Sequence, residues 1–294
     1  MLSDRQINPR ITSRRLLLTA AGMSLLGAAA GCRSPWSDEG AASSPEAIPE
    51  AVASAAASQS SASSPTAGAA SPVPFPPPAG SGAPPGGEPG HRTLTEEESK
   101  PVFELDPGQR VVALTIDDGP DPRYTPTVLA LLKQHGIRAT FFLIGENAVE
   151  HQSLVREIAD HGHHIANHTW THADLRHMSD GAVRDELERT SDLLQRTTGR
   201  QPTWFRAPGG DWSPVALRAS AALGLRNLGW SVDPRDWSRP GTSVIIDRVL
   251  KNVRPGSIVL NHDGGGDRSQ TVAAMKAYLP VLLDSGYSFS APPN

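Results

Sequence analysis

Seven short runs of β-branched and aliphatic residues alternate with helix-patterned stretches from about Gln109 onward, and few architectures accommodate that alternation. The strand candidates are Val111–Asp117, Ala139–Gly145, His163–Asn167, Trp204–Pro208, Arg226–Val232, Ser257–His262 and Tyr287–Ser290. Between them, apolar residues recur at helical spacing, as in Val128, Leu129, Leu132 and in Val272, Met275, Leu279, Leu282. Gly136, Gly162, Gly199, Gly224 and Gly286 close several of these patterns, where a helix ends on a left-handed residue. Strand and helix in strict alternation imply a parallel sheet, and seven such units are most easily closed into a barrel. About 180 residues is short for eight full units, so a smaller or incomplete barrel is expected.

What precedes this region is of another kind. Residues 33–108 are dominated by Ala, Ser, Pro and Gly, with Ser-rich stretches such as 58–64 and a proline cluster at Pro76-Pro77-Pro78. Such a segment buries too little apolar area to offset its ordering entropy and reads as a disordered linker. As a flexible coil, about 70 residues reach on the order of 45 Å. Residues 1–32 read as an export signal: Arg5, Arg10, Arg14 and Arg15 form a basic start, and an apolar stretch runs from Leu16 to Gly31. Ser13-Arg14-Arg15-Leu16-Leu17-Leu18 resembles a twin-arginine signal. Ala29-Ala30-Gly31-Cys32 resembles a bacterial lipobox, with Cys32 as the lipidated residue, although Ala29 stands where Leu is commonest. Cys32 is the only cysteine, so the chain forms no internal disulfide. These signals place the protein outside the cytoplasm, tethered to a membrane by a lipid. With 27 Lys+Arg against 31 Asp+Glu and a net charge of -4, the chain carries no electrostatic footprint for nucleic acid.

The first strand ends in two adjacent carboxylates and a turn, Asp117-Asp118-Gly119-Pro120, at the strand end where α/β proteins place their chemistry. Seven of the ten histidines lie between His151 and His177. Among them, His168-Thr169-Trp170-Thr171-His172 follows a strand directly, and on a helical turn its i, i+4 imidazoles would share one face and one metal ion. Two His and a carboxylate would leave coordination positions open, as a catalytic site requires. Three further strand ends deliver Arg206 with Gly209 and Gly210; Asp233 and Asp236 with Trp230 and Trp237; and His262. Singly, each could be a cap or an ion-pair partner. Five strand ends with such residues at one rim point to catalysis instead.

Residues from about 109 to 290 resemble the polysaccharide deacetylase family, also called the NodB-homology or carbohydrate esterase family 4 domain. The resemblance rests on five motifs in order: Thr115-Ile116-Asp117-Asp118-Gly119-Pro120, His168-Thr169-Trp170-Thr171-His172, Arg206-Ala207-Pro208-Gly209-Gly210, Asp233-Pro234-Arg235-Asp236-Trp237 and Leu260-Asn261-His262. It implies an irregular (β/α)7 barrel over 109–294 that removes acetyl groups from N-acetylated sugars or acetylated xylan with a divalent metal, zinc before cobalt. Carried over position by position, Asp118, His168 and His172 look like the metal ligands and Asp117 like the general base. Arg206 would hold Asp117 ionised and oriented. The backbone N–H near Gly209 would stabilise the tetrahedral intermediate, and His262 would protonate the leaving amine. Asp233 or Asp236 would raise the pKa of His262, with Asp233 favoured. The chain departs from the pattern at Ile116, where Phe is common, and at Gly209, where many members have Tyr. Trp212 or Trp237 would replace the apolar wall lost there.

The expected substrate is an N-acetylglucosamine polysaccharide, peptidoglycan or chitin oligomers, acted on by a monomer. An acetylxylan esterase of the same fold is the runner-up. A catalytically silent carbohydrate-binding protein is the alternative from a different class, and the intact set of acidic and histidine residues speaks against it.

Overall fold

The computed structural model describes residues 92–292. The export signal over 1–32, Cys32 and the linker as far as residue 91 lie outside the described residues. All seven expected strands form, most of them shorter than their sequence runs. The order is β1 (Val111–Asp117), α1 (Thr125–His135), β2 (Thr140–Leu143), α2 (Gly145–Glu150), α3 (Gln152–Asp160), β3 (His164–Asn167), α4 (Asp180–Thr198), β4 (Trp204–Phe205), α5 (Pro214–Ala222), β5 (Arg226–Asn227), α6 (Thr242–Asn252), β6 (Ile258–His262), α7 (Ser269–Asp284) and β7 (Ser288–Phe289). Short 3-10 turns at Leu175–His177, Pro208–Gly210 and Asp236–Ser238 follow three of the strands. The five expected helix-closing glycines all have positive φ, between 64° and 81°.

The strands are parallel and hydrogen-bond in the order β5-β4-β3-β2-β1-β6, with β7 added at the start of β1. The sheet curls far enough for Val232, beyond β5, to bridge Val259 of β6. The result is an irregular barrel. Alternate residues of each strand point to opposite faces, and both faces are buried, which is why the strands read as unbroken apolar runs. On β1, Val112, Leu114 and Ile116 pack outward against helical residues such as Leu132, Val249, Met275 and Leu279. Ala113 points inward with Phe142, Ala166, Trp204, Leu228 and Ile258. Each fully buried Leu or Met contributes roughly 1.5–3 kcal/mol.

Residues 94–105, assigned to the linker by composition, are built into this barrel. Leu94 N–H bonds to Ala221 O, Val102 bridges Leu228 and Glu104 bridges Ser257, so the stretch lies in the seam between β5 and β6. Composition missed it because Val102, Phe103 and Leu105 are few and stand between Pro101 and Pro107. Among the described residues, no helix is long and apolar enough to cross a membrane.

Candidate active site

The register of the sheet sets Asp117 beside His262 and Asn167 beside Phe205, so the ends of β1, β3, β4 and β6 meet at one rim. Asp118 follows β1 with φ 71°, an unusual value for a residue other than glycine, which turns its carboxylate towards the end of β3. Neighbouring backbone holds it there. Asn147 donates to its carbonyl at 2.8 Å, and the loop after β6 passes so close that a Cβ on Gly264 would lie 2.1 Å from the same oxygen.

Asp118, His168 and His172 come together as expected, with one ligand atom from each within 4.8 Å of the others. The Nε2 atoms of His168 and His172 approach Asp118 Oδ1 at 3.4 and 3.3 Å. That oxygen is buried and makes no hydrogen bond. His168 Nδ1 lies 2.7 Å from Arg206 O, and because a carbonyl can only accept, Nδ1 carries a proton, which leaves Nε2 as the nitrogen facing Asp118. Burial and the neighbouring His168 hold the His172 imidazole below its usual pKa, favouring the neutral, ligating form. Burial alone would raise the Asp118 carboxyl, but the imidazoles of His168, His262 and His172 outweigh it and leave the group well below the usual carboxylate range. An unpartnered carboxylate oxygen facing two imidazole nitrogens fits a divalent cation held by two nitrogens and one oxygen.

The two histidines are not paired by a helical turn. Residues 168–172 form a loop in which Thr169 and His172 have φ of 67° and 58°. Asn167 Oδ1 accepts Thr169 N–H at 2.8 Å, and Glu186 Oε2 on α4 accepts both Trp170 and Thr171 N–H at 2.8 Å. A chain of Thr-Trp-Thr has poor helix propensity, and buried side-chain acceptors fold it back on itself instead.

Arg206, fully buried, donates to Asp117 Oδ1 at 2.7 Å and to Thr115 Oγ1 at 2.9 Å from the same Nη1. Its Nε and Nη2 donate to Leu228 O and Gly229 O at 2.9 and 2.8 Å. Asp117 Oδ2 remains on the side facing His168, 3.7 Å from Nε2. Removing either partner of such a buried pair typically costs 3–5 kcal/mol, roughly, because it strands the other charge.

The partner of His262 is Asp236. Asp236 Oδ1 lies 2.8 Å from His262 Nδ1, Oδ2 accepts the His262 backbone N–H at 2.9 Å, and Thr271 donates to the same Oδ2 at 2.9 Å. Asp233, the residue favoured from sequence, accepts Arg235 N–H at 2.7 Å and closes its own turn. The 3-10 turn at Asp236–Ser238 carries Asp236 inward to 1 % exposure, while Asp233 stays partly exposed. Burial alone would lower the His262 pKa, but the hydrogen bond and charge of Asp236 raise it to about 9.

Gly209 lies exposed at the rim with φ 63°, and no atom stands within 4 Å of where its Cβ would be. Trp237 is 53 % exposed, whereas Trp212 is partly buried, edge-on to Phe103 at 5.9 Å. Sequence reasoning did not single out Asn147, Asn167, Glu186 or Arg268. The last donates to Gly264 O, Gly265 O and Trp237 O and is buried. Asn167 ends β3 beside the awkward Thr-Trp-Thr loop and was legible as a strand end, whereas Asn147, Glu186 and Arg268 lie outside any strand-end motif.

A family model described as polysaccharide deacetylase matches residues 104–228. A peptidoglycan-N-acetylglucosamine deacetylase of Bacillus cereus is 40% identical over 190 residues, 64% of this chain and 89% of that protein. A chitooligosaccharide deacetylase of Sinorhizobium fredii is 44% identical over 198 residues, 64% of this chain and 92% of the relative. Among solved structures, a peptidoglycan N-acetylglucosamine deacetylase in complex with a naphthalenyl N-oxidanyl-benzamide superposes with a TM-score of 0.63. It is 36% identical, and the match covers 65% of this chain and 90% of that one.

Proposed function

The chain belongs to the polysaccharide deacetylase family, and from that premise we propose that it removes N-acetyl groups from N-acetylglucosamine polysaccharide, peptidoglycan or chitin oligomers, by metal-assisted hydrolysis. The single observation carrying this reading is the pairing of two oppositely prepared groups across one rim. Asp117 is clamped by Arg206, and His262 is held protonated by Asp236. A carboxylate held in place to take a proton and an imidazole that carries one are what amide hydrolysis requires.

Asp118, His168 and His172 would hold a divalent cation, zinc in first place, which supplies Lewis-acid polarisation of the acetyl carbonyl and acidifies water. Asp117 then accepts the proton of the attacking water through the oxygen that Arg206 leaves free. The Gly209 N–H, at the open rim, donates to the oxygen on which charge develops. With Nδ1 tied to Asp236, His262 has Nε2 left to deliver a proton to the departing amine. Trp237 offers an exposed ring to the sugar, and Trp212, partly buried, is a second apolar surface it could meet. Arg14-Arg15 and the lone Cys32 support export and lipid attachment, which would present the enzyme to the cell wall.

An acetate-release assay over N-acetylglucosamine oligomers, peptidoglycan and acetylxylan tests the reading. Wild type should release acetate from the amides, chelator should abolish it, and Asp117→Ala and His172→Ala should both be inactive while folded. Release from acetylxylan alone would select the esterase, and none from any substrate by the zinc-loaded protein would select a binding role. For the tether, Cys32→Ser should free the protein from membranes; a soluble wild type with a mature N-terminus other than Cys32 overturns it.

A further inference from the structure

Arg206 depends on more than its own strand. Two of its four acceptors are the carbonyls of Leu228 and Gly229, just past the end of β5. β5 is the last strand of the sheet path, paired with β4 on one side only. What lies along its other side is the stretch that composition places in the linker. Val102 N–H donates to Asn227 O at 2.9 Å, Gly229 N–H donates to Val102 O at 2.8 Å, and Val102 bridges Leu228. From the opposite side, Leu105 N–H donates to Gly256 O at 2.7 Å and Glu104 bridges Ser257. Asn227 Nδ2 reaches Ser99 O at 2.8 Å, tying the stretch down further upstream. The Phe103 ring lies against Gly229 so closely that a Cβ there would stand 2.4 Å from it.

We propose that residues 102–105 are a positioning element for the reaction: by acting as the missing neighbour of β5, they fix the Leu228 and Gly229 carbonyls that aim Arg206 at Asp117. The chain of contacts is direct, from Val102 to Gly229, from Gly229 to Arg206, and from Arg206 to Asp117, each a hydrogen bond of 2.7–2.8 Å. A guanidinium with its Nε and Nη2 unheld could rotate and release Asp117 Oδ1, misplacing the base without touching the cation ligands. The folded enzyme thus begins upstream of β1. This rests on Asp117 being the base.

The test uses the full chain with Val102→Pro, which removes one strap N–H, and Val102→Leu, which keeps it. Zinc titration of the metal-free variants counts folded sites and reports affinity, and kcat and KM are then measured per zinc-binding site. Misplacement of a catalytic group by about 1 Å costs on the order of 10²-fold, so Val102→Pro should lose kcat towards that scale with zinc affinity unchanged, and Val102→Leu should stay within about twofold of wild type. Should Val102→Pro not fold, Gly229→Ala instead presses on Phe103 of the same stretch, and Phe103→Ala in the same chain should restore the kcat that Gly229→Ala loses. Wild-type kcat per site in a folded Val102→Pro, or no restoration in the double variant, overturns the proposal. An active Asp117→Ala would overturn the base assignment and the proposal with it, whereas an inactive Asp117→Ala beside a fully active Val102→Pro overturns the positioning role alone.

Discussion

Asp236 grips His262 twice, accepting the ring Nδ1–H at 2.8 Å through one oxygen and the backbone N–H at 2.9 Å through the other. The carboxylate therefore sets both the charge and the orientation of the imidazole. Burial opposes protonation, the bond and charge of Asp236 favour it, and the balance raises the ring from its ordinary 6.5 to about 9. An acid that must be protonated to work limits the rate on the alkaline side. Asp236→Asn keeps the shape and removes the charge, so the alkaline limb of kcat/KM on an N-acetyl substrate should move from near 9 towards 6.5. Asp233→Asn, which alters only a turn, should leave the limb in place. The opposite pattern in the two pH profiles would return the role to Asp233.

Glu186 carries the loop that presents both histidines of the candidate metal site. It accepts Trp170 N–H, Thr171 N–H and the Thr171 hydroxyl, so its removal leaves three donors without partners in a half-buried loop. A stranded donor costs about 1–3 kcal/mol, and loss of a group supporting metal ligands typically weakens affinity by roughly 10–100-fold. Glu186→Ala should therefore bind zinc 10–100-fold, roughly, more weakly by titration, although it touches no ligand atom. Glu186→Gln, with one acceptor oxygen remaining, should fall between. Equal zinc affinity in all three proteins would mean that the loop holds its shape without this carboxylate.

Acid should destabilise the fold through a histidine far from the chemistry. His163, 3 % exposed and immediately before β3, accepts Ala139 N–H on Nδ1 at 3.2 Å, which demands a neutral ring. Burial, assisted by His161, Arg138 and His164, lowers its pKa from 6.5 to about 4. Because the unfolded chain binds this proton more readily, the contribution is fully present above pH 6.5 and drains away as pH falls towards 4, reaching roughly 3 kcal/mol. Denaturant unfolding of His163→Asn, which keeps an acceptor but cannot titrate, should show a flatter stability curve across that window. A curve as steep as wild type would assign the acid sensitivity elsewhere.

How much of this was readable in advance follows from what kind of interaction places each residue. Strand ends are local: an apolar run that stops at Asp117, Asn167, Arg206 or His262 places its last polar residue at the rim whatever the packing. The choice between Asp233 and Asp236 is not local. Both follow β5 within ten residues, and only the 3-10 turn that buries Asp236 against β6 decides between them. The fold of the His168–His172 loop is likewise set by Glu186, fourteen residues beyond it on a helix whose apolar spacing gives no hint of a polar task. Residues 94–105 escaped because their bonds reach Ala221, Asn227 and Gly256, more than a hundred residues away.

The arrangement at His262 also separates amide from ester chemistry. A tetrahedral intermediate on an amide cannot readily expel an unprotonated amine, whereas an ester loses its alkoxide with less help from an acid. His262 has a raised pKa that keeps a proton on it at neutral pH, and Asp236 holds its Nδ1, leaving Nε2 to give it. General acid catalysis typically contributes about 10²–10⁴-fold, so His262→Ala should lower kcat/KM on an N-acetylglucosamine oligomer by roughly that amount. On an activated acetyl ester such as a nitrophenyl acetate, whose leaving group departs unprotonated, the same variant should lose distinctly less. Asp236→Asn should show the same asymmetry in weaker form, because it takes away the charge that keeps the acid protonated but leaves the ring in place. Zinc affinity should be unchanged in both, since neither residue belongs to the His168, His172 and Asp118 set. Amide and ester rates falling by the same factor in His262→Ala would mean that the ring binds substrate or holds the rim together and that the proton comes from another group.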